Sequence, residues 1–236
     1  IAGSYRSIDF ALSNMTNSHI QKVAVLTQYN ARSLNEHLNS SKWWNFGRKQ
    51  GGLYVFTPTI TNDNGYWYRG TADAIYQNMD FLKKSHEPYV VIASGDAVYK
   101  MDYSKVLQYH IDKKADVTVV CKEMDPSDDV SRFGTIRMDD DMRITEFEEK
   151  PMVTKSNMIS TGIYVIRRRL LIDLIEHAAE EERFDFVNDV LIRYKNLKKI
   201  YGYKIDHYWS NIATVDSYYN TNMDFLKPDV RNYFFR

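Results

Sequence analysis

Apolar residues follow two different periods along this chain. Short runs at 22–28 and 89–93 are rich in valine and isoleucine, and they predict strands that are buried on both faces. Elsewhere apolar residues recur every three or four positions, as at Ile8, Leu12 and Met15, which predicts helices. Strands that alternate with helices are typical of a parallel sheet with crossover connections. The pattern therefore predicts an α/β domain.

The strand predicted at 89–93 ends in Ser94-Gly95-Asp96. A glycine and a carboxylate at the carboxyl end of a buried parallel strand lie where open α/β sheets bind ligands. Gly95 would let a ligand approach the backbone, and Asp96 could hold a divalent cation against phosphate oxygens. A simple strand-to-loop turn accounts for the same residues equally well.

Candidate binding residues also follow a predicted hairpin at 133–147. Glu149 can meet a sugar hydroxyl and Lys150 a phosphate, although an exposed strand terminus accounts for both residues. Lys150 precedes a proline, so we expect it to be extended. Gly162 lies inside a predicted strand at 159–166, which suggests close approach by a ligand or by another backbone segment.

An aromatic and basic segment, Trp67-Tyr68-Arg69-Gly70, precedes a predicted helix. Such a segment could hold an anion or a base ring at the helix N-terminus. A packed aromatic loop is the alternative.

Composition narrows the function classes. The 236 residues include 31 Lys+Arg and 31 Asp+Glu, and this balance favours neither nucleic acid nor a membrane surface as a partner. Cys121 is the single cysteine, so an internal disulfide cannot form, and its apolar context predicts a buried thiol.

No apolar run would span a membrane and no signal peptide is visible, which makes a cytoplasmic protein the default expectation. Because the chain starts at Ile1 and enters a helical pattern at once, we expect it to be a piece of a longer polypeptide.

Taken together, several blocks resemble one family, ADP-glucose pyrophosphorylase, also called glucose-1-phosphate adenylyltransferase, of bacterial glycogen synthesis. In chain order they are GSYRSIDFALSN, VLTQY, WYRGTADAIYQN, SGDAVYKMDY and FEEKP, with ISTGIYV and YWSNIATVDSYYNTNMDFL as further matching segments. Each block is weak alone, but jointly they are specific and cover nearly the whole chain.

The resemblance implies a Rossmann-like nucleotidyltransferase domain over 1–236, with a twisted, mostly parallel mixed sheet flanked by helices. It implies transfer of an adenylyl group from ATP to glucose 1-phosphate, with Mg²⁺ as cofactor and pyrophosphate as the second product. The family's N-terminal glycine-rich loop would precede Ile1, and its C-terminal β-helix domain would follow Arg236; neither is in this sequence.

Site residues are implied by position in the matching blocks. Asp96 matches a metal-binding aspartate, Glu149 a carboxylate that reads glucose hydroxyls, and Lys150 the lysine that grips the sugar phosphate. Tyr68 matches a tyrosine near the ATP site. Gly95, Thr161 and Gly162 complete the expected substrate-binding set, the last two as small residues that line the sugar pocket.

One block departs from the family pattern. Catalytic members carry Trp-Arg-Asp-Val-Gly-Thr where this chain has Trp209 to Thr214, so Asn211 replaces the second metal-binding aspartate and Ser210 an arginine. An amide offers one oxygen without charge where the carboxylate offers two. This pattern resembles the GlgD-type subunit of Gram-positive bacteria, which joins a catalytic paralogous subunit in a hetero-oligomer. The sequence thus favours a weakly active regulatory partner, with a fully catalytic subunit as the alternative.

Overall fold

The computed structural model describes residues 1–40, 44, 46, 51–60, 65 and 67–236. Strands and helices alternate through the first half of the chain and are mixed with hairpins in the second. The described strands are β1 (Lys22–Leu26), β2 (Gly52–Phe56), β3 (Tyr89–Ala93), β4 (Ala97–Tyr99), β5 (Val117–Glu123), β6 (Gly134–Met138), β7 (Ile144–Glu149), β8 (Met158–Arg167), β9 (Ile200–Ile205) and β10 (Trp209–Asn211).

Helices lie between and after these strands. They are α1 (Ser7–Asn17), α2 (Ala31–Ser40), α3 (Thr71–Gln77), α4 (Met79–Lys83), α5 (Tyr103–Asp112), α6 (Arg168–Glu180), α7 (Val215–Asp224) and α8 (Pro228–Phe235), with a π-helical segment at Val187–Ile192.

The main sheet is organised around β8, which is ten residues long. On one edge β8 pairs with β5, and β5 pairs in turn with β9. On the other edge its first half pairs with β6 and its second half with β3. Strand β7 extends the sheet beyond β6, while β1 with β2 and β4 with β10 form separate two-stranded ladders.

The α/β class and the mixed sheet flanked by helices are confirmed, but parallel pairing is less common than the sequence predicts. Among the described strands, β1 with β2 and β5 with β9 are parallel, and the other pairs are antiparallel. The reason lies in the connections. The chain reverses at the turn between β6 and β7, so β7 and β8 run opposite to β5 and β6 and pair with them antiparallel.

Two apolar layers cover the two faces of the main sheet. Side chains alternate along a strand, so Tyr164 and Ile166 of β8 pack on the side of α6, while Ile163 and Val165 pack on the side of α5. Cys121 on β5 has no exposed surface, as the sequence predicts, and burial raises its pKa to about 12.

Strand β3 is less enclosed than the sequence predicts. All five of its residues are half-buried rather than buried, although β8 covers one edge. A cavity lies along the other edge and reaches β1, which explains the difference.

Candidate active site

The carboxyl end of β3 meets the middle of β8. Ser94 donates its backbone N–H to the Gly162 carbonyl oxygen at 3.0 Å, and its hydroxyl donates to Asp96 Oδ1 at 2.5 Å. Gly162 has φ +75°, and a Cβ there would lie 3.1 Å from Ser94 Cβ. The close approach predicted for Gly162 is thus made by the end of β3. Asp96 itself is exposed at this junction.

Asn211 is brought beside Asp96 through the β4–β10 ladder. Asn211 lies opposite Ala97, and Ile212 donates its backbone N–H to the Asp96 carbonyl oxygen at 2.9 Å. The side-chain oxygen of Asn211 accepts the N–H of Ala213 at 2.9 Å. This amide oxygen is therefore engaged in its own turn, a local bond typical of asparagine.

The neighbouring Ser210 turns towards α7. Its hydroxyl lies 2.6 Å from the hydroxyl of Thr221, which is buried and donates to the Ser217 carbonyl oxygen. Successive side chains of a strand point to opposite faces. Ser210 thus anchors β10 to the helix that follows it.

Glu149 and Lys150 differ in exposure. Glu149 ends β7 opposite Gly134, where a Cβ would lie 2.9 Å from Glu149 Oε2, so the glycine makes room for the carboxylate. Burial raises the pKa of Glu149, and the charge of Asp185 acts in the same direction, while Lys150 lowers it. The Lys150 side chain is 67% exposed with its Nζ 3.9 Å from Glu149 Oε1, so the ammonium group faces solvent and can meet a ligand.

The backbone of Lys150 corrects the sequence prediction. Lys150 has φ +46° in the left-handed region, not the extended conformation expected before a proline. Its N–H donates to the Phe133 carbonyl oxygen at 3.3 Å. That bond continues the pairing of β7 with β6 by one residue, and the chain turns away sharply just beyond it.

The aromatic and basic segment is a packed loop. Arg69 donates through its guanidinium to both oxygens of Asp73, whose side chain is fully buried, and its charged end lies 3.9 Å above the Phe184 ring. Tyr68 accepts a hydrogen bond from the Asn78 amide at 3.1 Å, and burial raises its pKa. Arg69 therefore fixes the loop internally, and the Tyr68 hydroxyl lies at its rim.

Thr161 is buried beside Gly162. Its hydroxyl donates to the Val120 carbonyl oxygen at 2.8 Å, so this group is engaged within the sheet. Thr161 and Gly162 therefore affect the shape of the site. Strand β8 bends here because Gly162 is left-handed, and the pairing of β5 with β8 shifts register at Val120.

A segment that the sequence reasoning missed completes this region. Phe184 accepts the backbone N–H of Ala72 at 2.8 Å, and Phe186 donates its N–H to the Thr71 hydroxyl at 3.0 Å. The charge of Asp185, between these two phenylalanines, raises the pKa of both Glu149 and Tyr164, after burial as the larger cause. Asp185 and Tyr164 therefore share the surroundings of Glu149. The Phe-Asp-Phe triplet at 184–186 was the sequence signal that could have pointed to this segment. It lies some 35 residues from Glu149, so nothing in the sequence linked the two.

Comparison with known proteins identifies the family. The model of the nucleotidyl transferase family matches residues 1–228. The chain belongs to the nucleotidyl transferase family. Its relatives include proteins named glucose-1-phosphate adenylyltransferase from Thermosipho melanesiensis (40% identical over 228 residues, 96% of this chain and 55% of the relative), Clostridium novyi (42% over 233 residues, 98% and 60%) and Bacillus cytotoxicus (44% over 230 residues, 96% and 61%). The chain thus spans a little over half the length of these relatives.

Nucleotidyl transferases of this family generally use Mg²⁺. The question is whether the side-chain oxygens of the candidate site suit this ion. The described residues contain no group of three or more His, Cys, Asp or Glu side chains arranged to hold a metal. Asp96 offers one exposed carboxylate, while the Asn211 oxygen is already hydrogen-bonded. A single carboxylate suits Mg²⁺, which keeps several waters and takes its other ligands from substrate phosphates. The residues therefore fit a Mg²⁺ ion that arrives with a nucleotide.

Within the described residues, no helix combines the length and the apolar character needed to cross a bilayer.

Proposed function

We propose that this chain carries the nucleotidyl-transfer site of a glucose-1-phosphate adenylyltransferase subunit in bacterial glycogen synthesis, acting in the cytoplasm. Such a subunit converts ATP and glucose 1-phosphate into ADP-glucose and pyrophosphate. The relatives named above, at 40–44% identity, support this activity. The observation that carries it is the convergence of two candidate groups on β8. Asp96 follows the Ser94–Gly162 contact, and Glu149 shares its surroundings with Tyr164 two residues further along.

The reaction requires positioning more than covalent help. An oxygen of the sugar phosphate attacks the α-phosphorus of ATP in line, the bond to the β-phosphate oxygen breaks, and pyrophosphate leaves with that electron pair. In this proposal Lys150 pairs with the sugar phosphate and Glu149 accepts hydrogen bonds from glucose hydroxyls. Gly95 allows the nucleotide close to the backbone, Tyr68 borders it, and Thr161 with Gly162 shapes the sugar pocket. Asp96 would hold Mg²⁺, which when bound neutralises phosphate charge.

The finer part of the proposal is that transfer by this chain is weak and that it works in a hetero-oligomer with a catalytic paralogous subunit. The supporting observation is Asn211, which occupies the position where the resemblance expects a second metal-binding aspartate. Its side-chain oxygen accepts a hydrogen bond from the Ala213 N–H. A fully catalytic subunit is the second candidate, favoured by the retained Asp96, Glu149 and Lys150.

The test is pyrophosphate release from ATP, glucose 1-phosphate and Mg²⁺ by the longer polypeptide to which this chain belongs, without a partner. A turnover number in the ordinary enzyme range, about 1–10³ s⁻¹, would establish the fully catalytic alternative. Background turnover that rises when a catalytic paralogue is added, beyond the activity of that paralogue alone, would establish the partner role.

A substitution at Asp96 tests the site itself. We expect Asp96→Asn to remove whatever transfer activity the longer polypeptide has, because the single carboxylate suited to Mg²⁺ is lost. Asp173→Asn, at an exposed position on α6, is the matched control and should leave activity unchanged. Equal activity of Asp96→Asn and the unaltered protein would contradict the role given to Asp96.

A further inference from the structure

Ser94 contacts two parts of the site that the proposed function assigns to different ligands. Its hydroxyl donates to Asp96 Oδ1 at 2.5 Å, and its backbone N–H donates to the Gly162 carbonyl oxygen at 3.0 Å. Asp96 is the candidate ligand of Mg²⁺, and Gly162 shapes the sugar pocket. Ser94 is half-buried, just past the end of β3. It is therefore held by the main sheet through its backbone while its side chain holds the carboxylate.

The Asp96 carboxylate has little else to restrain it. Asp96 is exposed, and it follows Gly95, which has no side chain to restrict the backbone. The Asp96 carbonyl oxygen accepts the Ile212 N–H, but that bond fixes the main chain and leaves the side-chain torsions free. Among the residues that the structure describes, Ser94 is the one that donates a hydrogen bond to the carboxylate. The orientation of this carboxylate therefore depends on the Ser94 hydroxyl.

The placement of Ser94 depends in turn on Gly162. A Cβ at position 162 would lie 3.1 Å from Ser94 Cβ and 3.9 Å from its hydroxyl oxygen, so the absence of a side chain there lets β8 approach this closely. The left-handed backbone of Gly162, with φ +75°, is the conformation that glycine adopts without strain. The contact fixes the Ser94 backbone and leaves its hydroxyl directed at Asp96.

The hydrogen bond from Ser94 makes the two carboxylate oxygens of Asp96 unequal. Oδ1 accepts the hydroxyl, whereas Oδ2 accepts no hydrogen bond within the described part of the chain and is the freer oxygen. Mg²⁺ requires near-ideal octahedral geometry with short bonds, which suits a carboxylate that offers one oxygen. Ca²⁺ is larger and readily takes both oxygens of one carboxylate. An Asp96 held in this way therefore favours Mg²⁺ over Ca²⁺.

We infer that Ser94 is a positioning residue whose hydroxyl orients Asp96 as a one-oxygen ligand and thereby sets the preference of the site for Mg²⁺ over Ca²⁺. The inference rests on the proposed function, because it takes Asp96 as the residue that holds the metal. Groups that bond to a metal ligand without touching the metal typically change metal affinity by about 10–100-fold. Loss of the hydroxyl frees the carboxylate to rotate and to present both oxygens, which penalises Mg²⁺ more than Ca²⁺.

Calorimetric titration of the longer polypeptide with ATP tests this inference without turnover, because glucose 1-phosphate is left out. The dissociation constants of the Mg²⁺ complex and of the Ca²⁺ complex of ATP are measured for the unaltered protein and for Ser94→Ala. We expect Ser94→Ala to weaken binding of the Mg²⁺ complex by about tenfold and to leave binding of the Ca²⁺ complex nearly unchanged. A purely structural role of Ser94 would weaken both complexes equally, so the ratio of the two constants separates the two cases.

Ser127→Ala is the matched control. The Ser127 hydroxyl donates to Asp125 Oδ1 at 2.7 Å in an exposed turn, so this variant loses the same kind of bond between residues that the proposed function does not use. Its ratio of the two dissociation constants should equal that of the unaltered protein. Equal weakening of both complexes in Ser94→Ala, or no weakening of either, would overturn the inference.

The same titration of Asp96→Asn distinguishes failure of this inference from failure of the proposed function. Weaker binding of the Mg²⁺ complex in Asp96→Asn, with an unchanged ratio in Ser94→Ala, would overturn the role of Ser94 and leave that of Asp96 in place. Unchanged binding of the Mg²⁺ complex in both variants, or no binding of either complex by the unaltered protein, would overturn the metal site of the proposed function and this inference with it.

Discussion

At the scale of single residues, the side chain at position 211 limits how the described site can hold a metal. A carboxylate there would keep one charged oxygen free while the other accepts the Ala213 N–H, whereas the Asn211 amide has a single, uncharged oxygen that already accepts that bond. The backbone around it needs no change, because β10 keeps its pairing with β4 and Ile212 still bonds to Asp96. The position is therefore open to a substitution that alters chemistry more than fold.

We expect Asn211→Asp to raise the transfer activity of the longer polypeptide by about tenfold to a hundredfold, or roughly 1.4–2.7 kcal/mol in barrier height. The reason is a second carboxylate next to Asp96. Pyrophosphate release measures it, and Asn220→Asp, at an exposed position on α7, makes the same chemical change away from the site. An equal rise in both variants, or none in either, would contradict the role of position 211. Adding Ser210→Arg also breaks the bond to Thr221, so the single variant is tested first.

His110 is a buried titratable group that has no role in the proposed reaction. Its ring is buried on α5 with Nδ1 2.7 Å from the Thr118 hydroxyl, and Nε2 has no hydrogen-bond partner among the described residues. Burial lowers the pKa of His110 to about 4, and the Arg167 charge acts in the same direction. The unfolded chain, with an ordinary pKa near 6.5, binds this proton more readily.

The free energy of unfolding should therefore fall as the pH drops from about 6.5 towards 4, by up to roughly 3 kcal/mol from this group, with its full contribution present above pH 6.5. Urea unfolding between pH 4 and 7 measures the slope. His110→Gln should flatten it, whereas His86→Gln, at an exposed position, should leave it as it is. The same slope in all three proteins would show that other groups govern it.

At the scale of elements, the start of α3 depends on one glycine. A Cβ on Gly70 would lie 2.4 Å from the Phe184 carbonyl oxygen, the same atom that accepts the N–H groups of Ala72 and Asp73. The loop from 67 to 70 and the segment from 184 to 186 are locked together here. Asp185, a neighbour of Glu149, lies in the segment that this contact holds in place.

We expect Gly70→Ala to lower the free energy of unfolding by about 1–3 kcal/mol, because the backbones must separate to admit the methyl group. Gly65→Ala is the matched control, since no atom of the residues that the structure describes lies within 4 Å of a Cβ at Gly65. Urea unfolding compares the two variants. Similar free energies of unfolding for both variants would contradict this prediction, because the contact between Gly70 and Phe184 would then not contribute to stability.

Periodicity predicts most elements of this fold but not how they pair. The runs at 89–93 and 159–166 appear as strands because their composition is local information, and α1 appears because Ile8, Leu12 and Met15 share a face. Pairing depends on which segments meet in space. No sequence signal distinguishes β8 as the strand that unites β3, β5 and β6, and so the sequence overstates parallel pairing. The prediction of an extended Lys150 fails for a similar reason. The hydrogen bond from its N–H to the Phe133 carbonyl oxygen overrides the local preference for an extended residue before proline.

At the scale of the whole molecule, the candidate site draws on segments that are far apart in sequence. Asp96, Glu149, Asp185 and Asn211 come from four separate parts of the chain, and β8 with its neighbours brings them into one region. The family resemblance supplied three of the four by position. Asp185 was missed because its closeness to Glu149 comes from a loop packed on α3, and such a contact leaves no periodic trace in the sequence.

The solitary thiol of Cys121 has a practical consequence. It lies on a central strand, wholly inaccessible, and its pKa of about 12 leaves almost no thiolate at neutral pH. A colourimetric disulfide reagent can modify it only while the strand is transiently released, so the labelling rate counts those openings directly. Cys121 therefore serves as a natural probe of local opening at the buried strand β5. No engineered label is needed, and no second thiol in this sequence competes with it.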